Sequence, residues 1–128
     1  MNNQKVIICD NLKEDLWKAM SDCPHDKVFV LVDEHTGKLC LPLISSFDYM
    51  KGAEIVIIGA EDVNKTIETL SYVWKELGDR GATRHSLIIN LGGGMVTDLG
   101  GFAASTFKRG MKYINIPTTL LAMVDASV

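Results

Sequence analysis

Four short runs of the chain are apolar almost without interruption, and that continuity restricts the fold more than any other feature. They are Val28-Phe29-Val30-Leu31-Val32, Ile55-Val56-Ile57-Ile58, Leu87-Ile88-Ile89-Asn90-Leu91 and Tyr113-Ile114-Asn115-Ile116. A strand with one wet face alternates apolar and polar residues, whereas a strand covered on both faces does not. The runs are closed by Asp33, Gly59, Gly92 and Pro117. Val6-Ile7-Ile8-Cys9 is a further short β-prone run. Helical spacing fills the intervals. Leu12, Leu16 and Ala19/Met20 recur one turn apart, with Asn11 as a possible cap and Pro24 as the end. Ile67, Leu70, Trp74 and Leu77 form the clearest stripe, stopped by Gly78 and Gly81. Leu99 to Ser105 and Leu120 to Val124 also read as helical. Strands alternating with helices imply an α/β domain, with a mostly parallel sheet and helices on both faces.

A length of 128 residues suits one domain, residues 1–128, and 47% hydrophobic residues supply its core. The formal charge of -3 argues against nucleic acid, whose phosphates select basic surfaces. No apolar run approaches the roughly 18 residues of a membrane span, and the amino terminus lacks a signal-peptide pattern. A cytoplasmic protein with no membrane partner is the expectation. Cys9, Cys23 and Cys40 are odd in number and widely spaced, which suits reduced thiols. His25, His35 and His85 do not combine with acids or cysteines at metal-ligand spacing, so no metal site is expected in this chain.

Open parallel sheets bind ligands at the carboxyl ends of their strands. The unusual residues of this sequence stand there: Asp33, Gly59, the segment Gly92 to Asp98, and Thr118-Thr119. Gly92-Gly93-Gly94 can adopt positive φ and let backbone N–H groups approach an anion. A helix opening after them would favour phosphate. Thr97 adds a hydroxyl, and Asp98 could accept from ribose hydroxyls or simply complement the helix end. The pattern is neither the G-x-G-x-x-G fingerprint nor a P-loop. Gly100 and Gly101, inside the next helix, suggest close packing. Lys108-Arg109-Gly110-Met111-Lys112 is a basic cluster in which Arg109 offers a bidentate fork for phosphate. Asp62 with Lys65 reads either as a site pair or as a surface ion pair. Asp33 and Thr118-Thr119 read either as ligand contacts or as caps.

Three stretches carry a family resemblance: Leu91-Gly92-Gly93-Gly94-Met95-Val96-Thr97-Asp98-Leu99-Gly100-Gly101-Phe102, then Phe107-Lys108-Arg109-Gly110, then Ile116-Pro117-Thr118-Thr119-Leu120-Leu121 through Val124-Asp125-Ala126-Ser127-Val128. Together they resemble the amino-terminal half of the 3-dehydroquinate synthase family, strongly from about Lys65 onward. The resemblance implies a Rossmann-like NAD-binding domain. It also implies conversion of 3-deoxy-D-arabino-heptulosonate 7-phosphate, a phosphorylated sugar acid of the shikimate pathway, to 3-dehydroquinate and phosphate. In that chemistry bound NAD transiently oxidises a hydroxyl, and a divalent metal, zinc or cobalt, polarises its oxygen. By motif, Gly93, Gly94, Met95, Val96, Thr97, Asp98, Thr118 and Thr119 would line NAD, with Asp33 by the adenosine ribose. Lys65 matches a family lysine, and Asp62 or Glu61 fills the preceding acid position. Arg109 would reach the substrate phosphate from the neighbouring subunit of a homodimer, and Asp125 would touch substrate. The family's metal ligands lie in a later helical domain beyond Val128. The 128 residues alone are therefore expected to bind NAD weakly at best and not to turn over.

Two other readings share the glycine turn. One is the NAD-binding half of a metal-dependent alcohol or glycerol dehydrogenase, or of another sugar-phosphate cyclase. The other is a non-catalytic binding module. Arg109-Gly110 together with the stretch from Pro117 to Val128 favours the lyase.

Overall fold

The computed structural model describes residues 4–6, 12–59 and 66–118. Within them, β1 (Gln4–Val6), β2 (Val28–Asp33), β3 (Glu54–Ile58), β4 (Leu87–Gly92) and β5 (Lys112–Pro117) form one sheet in the order β1-β5-β4-β2-β3. Every pairing is parallel. The apolar runs follow from this arrangement, because the two faces of the sheet bury separate cores. On one face Val30, Val32, Leu87, Ile89, Leu91, Ile114 and Ile116 pack against Leu16, Ala19 and Met20 of α1 (Leu12–Ser21) and Ile44 of α3 (Leu41–Ser45). On the other, Phe29, Leu31, Val56, Ile58 and Ile88 pack against Leu70, Val73 and Leu77 of α4 (Thr66–Asp79). Val96, Leu99, Ala103 and Ala104 of α5 (Gly94–Thr106) complete that layer. Residues next to one another in a strand therefore serve different cores, and a polar residue at either would face apolar neighbours.

The helical stripe of α4 keeps Leu70 and Leu77 of the expected set and departs from it at Ile67 and Trp74. Leu70, Val73 and Leu77 are buried, whereas Ile67 is 80% and Trp74 36% exposed. Trp74 instead donates through Nε1 to Thr106 Oγ1 at 3.1 Å. α4 also runs through Gly78, and Gly81, at φ 81°, follows its end. Between β2 and β3 no long helical period runs, and two short α-helices and a 3-10 turn occupy the interval. α2 (Glu34–Leu39) is held by a capping box from Asp33 and Thr36, and α3 carries proline in its first turn. The first strand is described only at Gln4–Val6, and Ile7 to Cys9 lie outside the described residues, as does the expected helix from Leu120 to Val124. Among the described residues Cys23 and Cys40 form no disulfide, and no helix is long and apolar enough to cross a membrane.

Candidate functional site

The chain leaves β2 and β4 toward opposite faces. α2 and α3 lie over the core of α1, whereas α5 lies over the core of α4. β2 and β4 are neighbours in the sheet, so a crevice opens between their carboxyl ends. Asp33 stands on one side of it and Gly92-Gly93-Gly94 on the other, with Thr118 beyond β5 and Gly59 beyond β3.

α5 begins at Gly94, with Gly93 as its cap residue. No side chain caps it, so the first N–H groups of the helix have no partner within it. The glycines are not needed for positive φ, contrary to expectation: Gly93 sits at φ −76°, ψ −177°, and the positive-φ glycines are Gly52, Gly81 and Gly110. Space explains them instead. A Cβ on Gly92 would lie 2.7 Å from Val96 Cβ, so this glycine lets the helix close onto the strand. A Cβ on Gly93 or Gly94 would meet no heavy atom within 4 Å. Those two glycines leave backbone donors uncovered on the open side of the turn, a cradle that suits a pyrophosphate.

Other side chains at the crevice have defined partners. Asp33 Oδ1 accepts from Thr36 N at 2.8 Å, and Asp33 N donates to Thr36 Oγ1 at 3.0 Å. The cap thus fixes Asp33 at the strand end and leaves its second carboxylate oxygen for another donor. Thr97 Oγ1 donates to Gly94 O at 3.0 Å, so its proton is engaged by the helix backbone and its oxygen remains as an acceptor. Val96 is buried, so only its backbone can face a ligand, while Met95 and Asp98 are exposed. Asp62, Glu61, Lys65, Thr119 and Asp125 lie outside the described residues.

Arg109 stands apart from this group. It follows the far end of α5 and precedes β5, at the amino edge of the sheet. A helix of 13 residues separates it from Gly94, a length of about 20 Å. Lys108 and Arg109 both hold positive φ, at 43° and 76°, in a turn closed by Gly110 N donating to Phe107 O at 2.7 Å. Lys108 Nζ reaches Ala82 O and lies 5.5 Å from the Phe107 ring centroid. The turn is thereby anchored through Lys108, and Arg109 is exposed.

Beside α5 runs a groove of about 410 Å³, lined among others by Thr97, Asp98, Ser105, Tyr113 and Asn115. Asn90 and Asn115 stand in strands that the sequence identifies only as apolar runs. Their signal was their polarity inside otherwise apolar runs. Gly100 and Gly101 do serve close approach, to Asn90 and to the Tyr113 ring. Among the described residues no group of three His, Cys, Asp or Glu could hold a metal ion.

Comparison with known proteins gives this geometry a family. The family model described as 3-dehydroquinate synthase N-terminal matches residues 55–128. The chain is 48% identical over 128 residues to a 3-dehydroquinate synthase of Parabacteroides distasonis, covering 100% of this chain and 36% of that protein. It is 44% identical over 104 residues to that of Clostridium beijerinckii, covering 80% of this chain and 30% of the relative. The chain thus spans about a third of the length of the curated relatives it matches. Among solved structures, 2-epi-5-epi-valiolone synthase from Streptomyces hygroscopicus subsp. jinggangensis, with NAD+ and Zn2+ bound, superposes with a TM-score of 0.71 at 27% identity. That match covers 100% of this chain and 36% of the synthase. A 2-deoxy-scyllo-inosose synthase superposes with a TM-score of 0.76 at 19% identity over 90% of this chain and 32% of its own, a likeness of fold. Motif, fold and relatives agree: the chain belongs to the 3-dehydroquinate synthase family.

Proposed function

We propose that residues 1–128 are the NAD-binding portion of a 3-dehydroquinate synthase, a lyase that converts 3-deoxy-D-arabino-heptulosonate 7-phosphate to 3-dehydroquinate and phosphate. The observation that carries this reading is the uncovered backbone at Gly93-Gly94, opening α5 at the point where β2 and β4 diverge. The residues fit NAD. The N–H groups of Gly94, Met95 and Val96 face the space a pyrophosphate would take, Asp98 and Asp33 are acceptors for ribose hydroxyls, and Thr118 flanks the pocket from β5. When bound, NAD supplies a hydride acceptor that oxidises one substrate hydroxyl and later returns the hydride. The chain's own part is to hold the cofactor against the sheet edge and exclude water from beneath it, which Val96 and Leu99 do by filling the space under α5. Asp62, Lys65, Thr119 and Asp125 belong to the same proposal by motif. Arg109 would meet the substrate phosphate of the neighbouring subunit in a homodimer. We assign the divalent metal to side chains beyond the described residues and derive no step through it. A cytoplasmic location, with neither nucleic acid nor membrane as partner, is part of the proposal; the net charge of -3 supports the exclusion of nucleic acid.

Titration calorimetry of the whole enzyme with NAD tests the reading. Wild-type protein should bind, and Gly94→Val should weaken binding at least about tenfold, because its side chain would occupy the ligand's space. The melting temperature of the variant should stay close to wild type, since among the described residues no atom fills that space. Unaltered affinity in the variant would remove the glycine turn from the site.

A further inference from the structure

We infer that Asn115 is a ligand-binding residue of the groove between α5 and β5, and that the buried Asn90 is a positioning residue that turns the Asn115 amide toward that groove beside Asp98. The inference rests on the NAD reading above and adds two residues to it.

Asn90 is 0% exposed, and its Oδ1 has no hydrogen-bond partner among the described residues. Buried polar atoms without a partner are rare in native proteins, so this one calls for a reason. Gly100 supplies it. A Cβ on Gly100 would lie 1.9 Å from Asn90 Oδ1, so the oxygen rests directly on the glycine of α5. A carbonyl oxygen against Cα–H is a weak attraction, whereas the amide NH2 in that place would set hydrogens against hydrogens. Gly100 therefore selects the orientation of the Asn90 amide.

The orientation propagates. With its oxygen against Gly100, Asn90 directs Nδ2 at its register partner on β5, donating to Asn115 Oδ1 at 3.0 Å. Asn115 Oδ1 is thereby engaged, and Asn115 Nδ2 makes no hydrogen bond among the described residues. Asn115 is 7% exposed, and it lines the groove that Asp98 and Thr97 also line. A nearly buried amide donor with a free hydrogen thus shares a groove with a carboxylate acceptor. Such a pair suits a group that both accepts and donates, meaning a hydroxyl or a carboxamide, and NAD carries both. Asn115 lies two residues before Pro117, toward the carboxyl end of β5.

Side-chain amide NMR and titration calorimetry test the inference on the whole enzyme. In wild-type protein NAD should shift the Asn115 NH2 resonances. Asn115→Ala should bind NAD about tenfold more weakly at an unchanged stoichiometry, the loss of one hydrogen bond to a ligand. Asn90→Ala should weaken NAD binding by a smaller factor and broaden the Asn115 NH2 signals as that amide gains freedom to flip. ADP-ribose distinguishes the recognised group: an equal loss with ADP-ribose assigns a ribose hydroxyl, and a loss seen only with NAD assigns the carboxamide. If wild-type protein binds NAD while Asn115→Ala binds it equally well and the wild-type NH2 signals stay unmoved, this inference fails and the NAD reading stands. If wild-type protein does not bind NAD, both fail.

Discussion

Asp26 lies just before β2 with its carboxylate gripped by neighbouring hydroxyls. Ser86 donates to Oδ1 at 2.6 Å, and Thr83 donates to Oδ2. These hydrogen bonds, Ser86 first and Thr83 next, hold its pKa down from an ordinary 3.8 to about 2. A carboxylate whose folded pKa is depressed adds stability above its unfolded pKa and loses it as pH falls through the folded one. The difference in denaturation midpoint between wild type and Asp26→Asn should be constant near neutral pH and shrink between about pH 4 and pH 2. A difference independent of pH would show that the hydroxyls do not favour the ionised form. Asp26 is largely exposed, so the effect should be modest. Individual residues were legible in the sequence where backbone chemistry decided their place. Asp33 at a strand end and Pro24 after a helix are such cases. They were not legible where a tertiary partner decided. Nothing local says that Asn90 meets Gly100, or that Gly92 to Gly94 serve close packing and open space rather than positive φ.

The elements were legible where their period was strong, and their orientation was set by contacts the sequence does not contain. α4 was recognisable as a helix, but its buried stripe takes Val73 beside Leu70 and Leu77, while Trp74 stays at the rim and donates to Thr106. α2 and α3 are too short to declare a period. The end of α4 shows how an element is fixed to the sheet. Arg80 donates from Nη1 to Glu54 Oε1 at 3.2 Å and to Ile55 O at 2.9 Å, and from Nη2 to Glu76 Oε1 at 3.0 Å. One guanidinium joins the helix end to the edge strand β3. Arg80→Ala should lower unfolding free energy by about 1 kcal/mol, since the group is partly exposed and solvent screens it. Arg80→Lys should recover little of this, because a single ammonium cannot serve acceptors on both elements. Urea denaturation of the two variants decides it, and full recovery by lysine would mean that charge alone matters.

At the scale of the whole molecule, unbroken apolar runs and helical intervals establish a parallel sheet, and short right-handed crossovers follow from that. The order β1-β5-β4-β2-β3 does not follow, because each buried run suits any interior position equally well. That order decides the site. It makes β2 and β4 neighbours and puts Asp33 across from the glycine turn, while Arg109, between α5 and β5, stands at the opposite edge of the sheet. An arginine about 20 Å away along α5 cannot serve the crevice of its own chain. If Arg109 binds substrate phosphate, the crevice it serves belongs to a second copy. In the proposed homodimer of the whole enzyme, subunits carrying Arg109→Ala and subunits carrying Gly94→Val should each form inactive dimers. Mixed and allowed to exchange, half the dimers would pair one of each, and one of the two sites in such a dimer would contain both an intact glycine turn and an intact arginine. Activity should therefore return to about a quarter of the wild-type value. A mixture that remains inactive, with subunit exchange verified by mass spectrometry of labelled copies, would place Arg109 outside the partner's site.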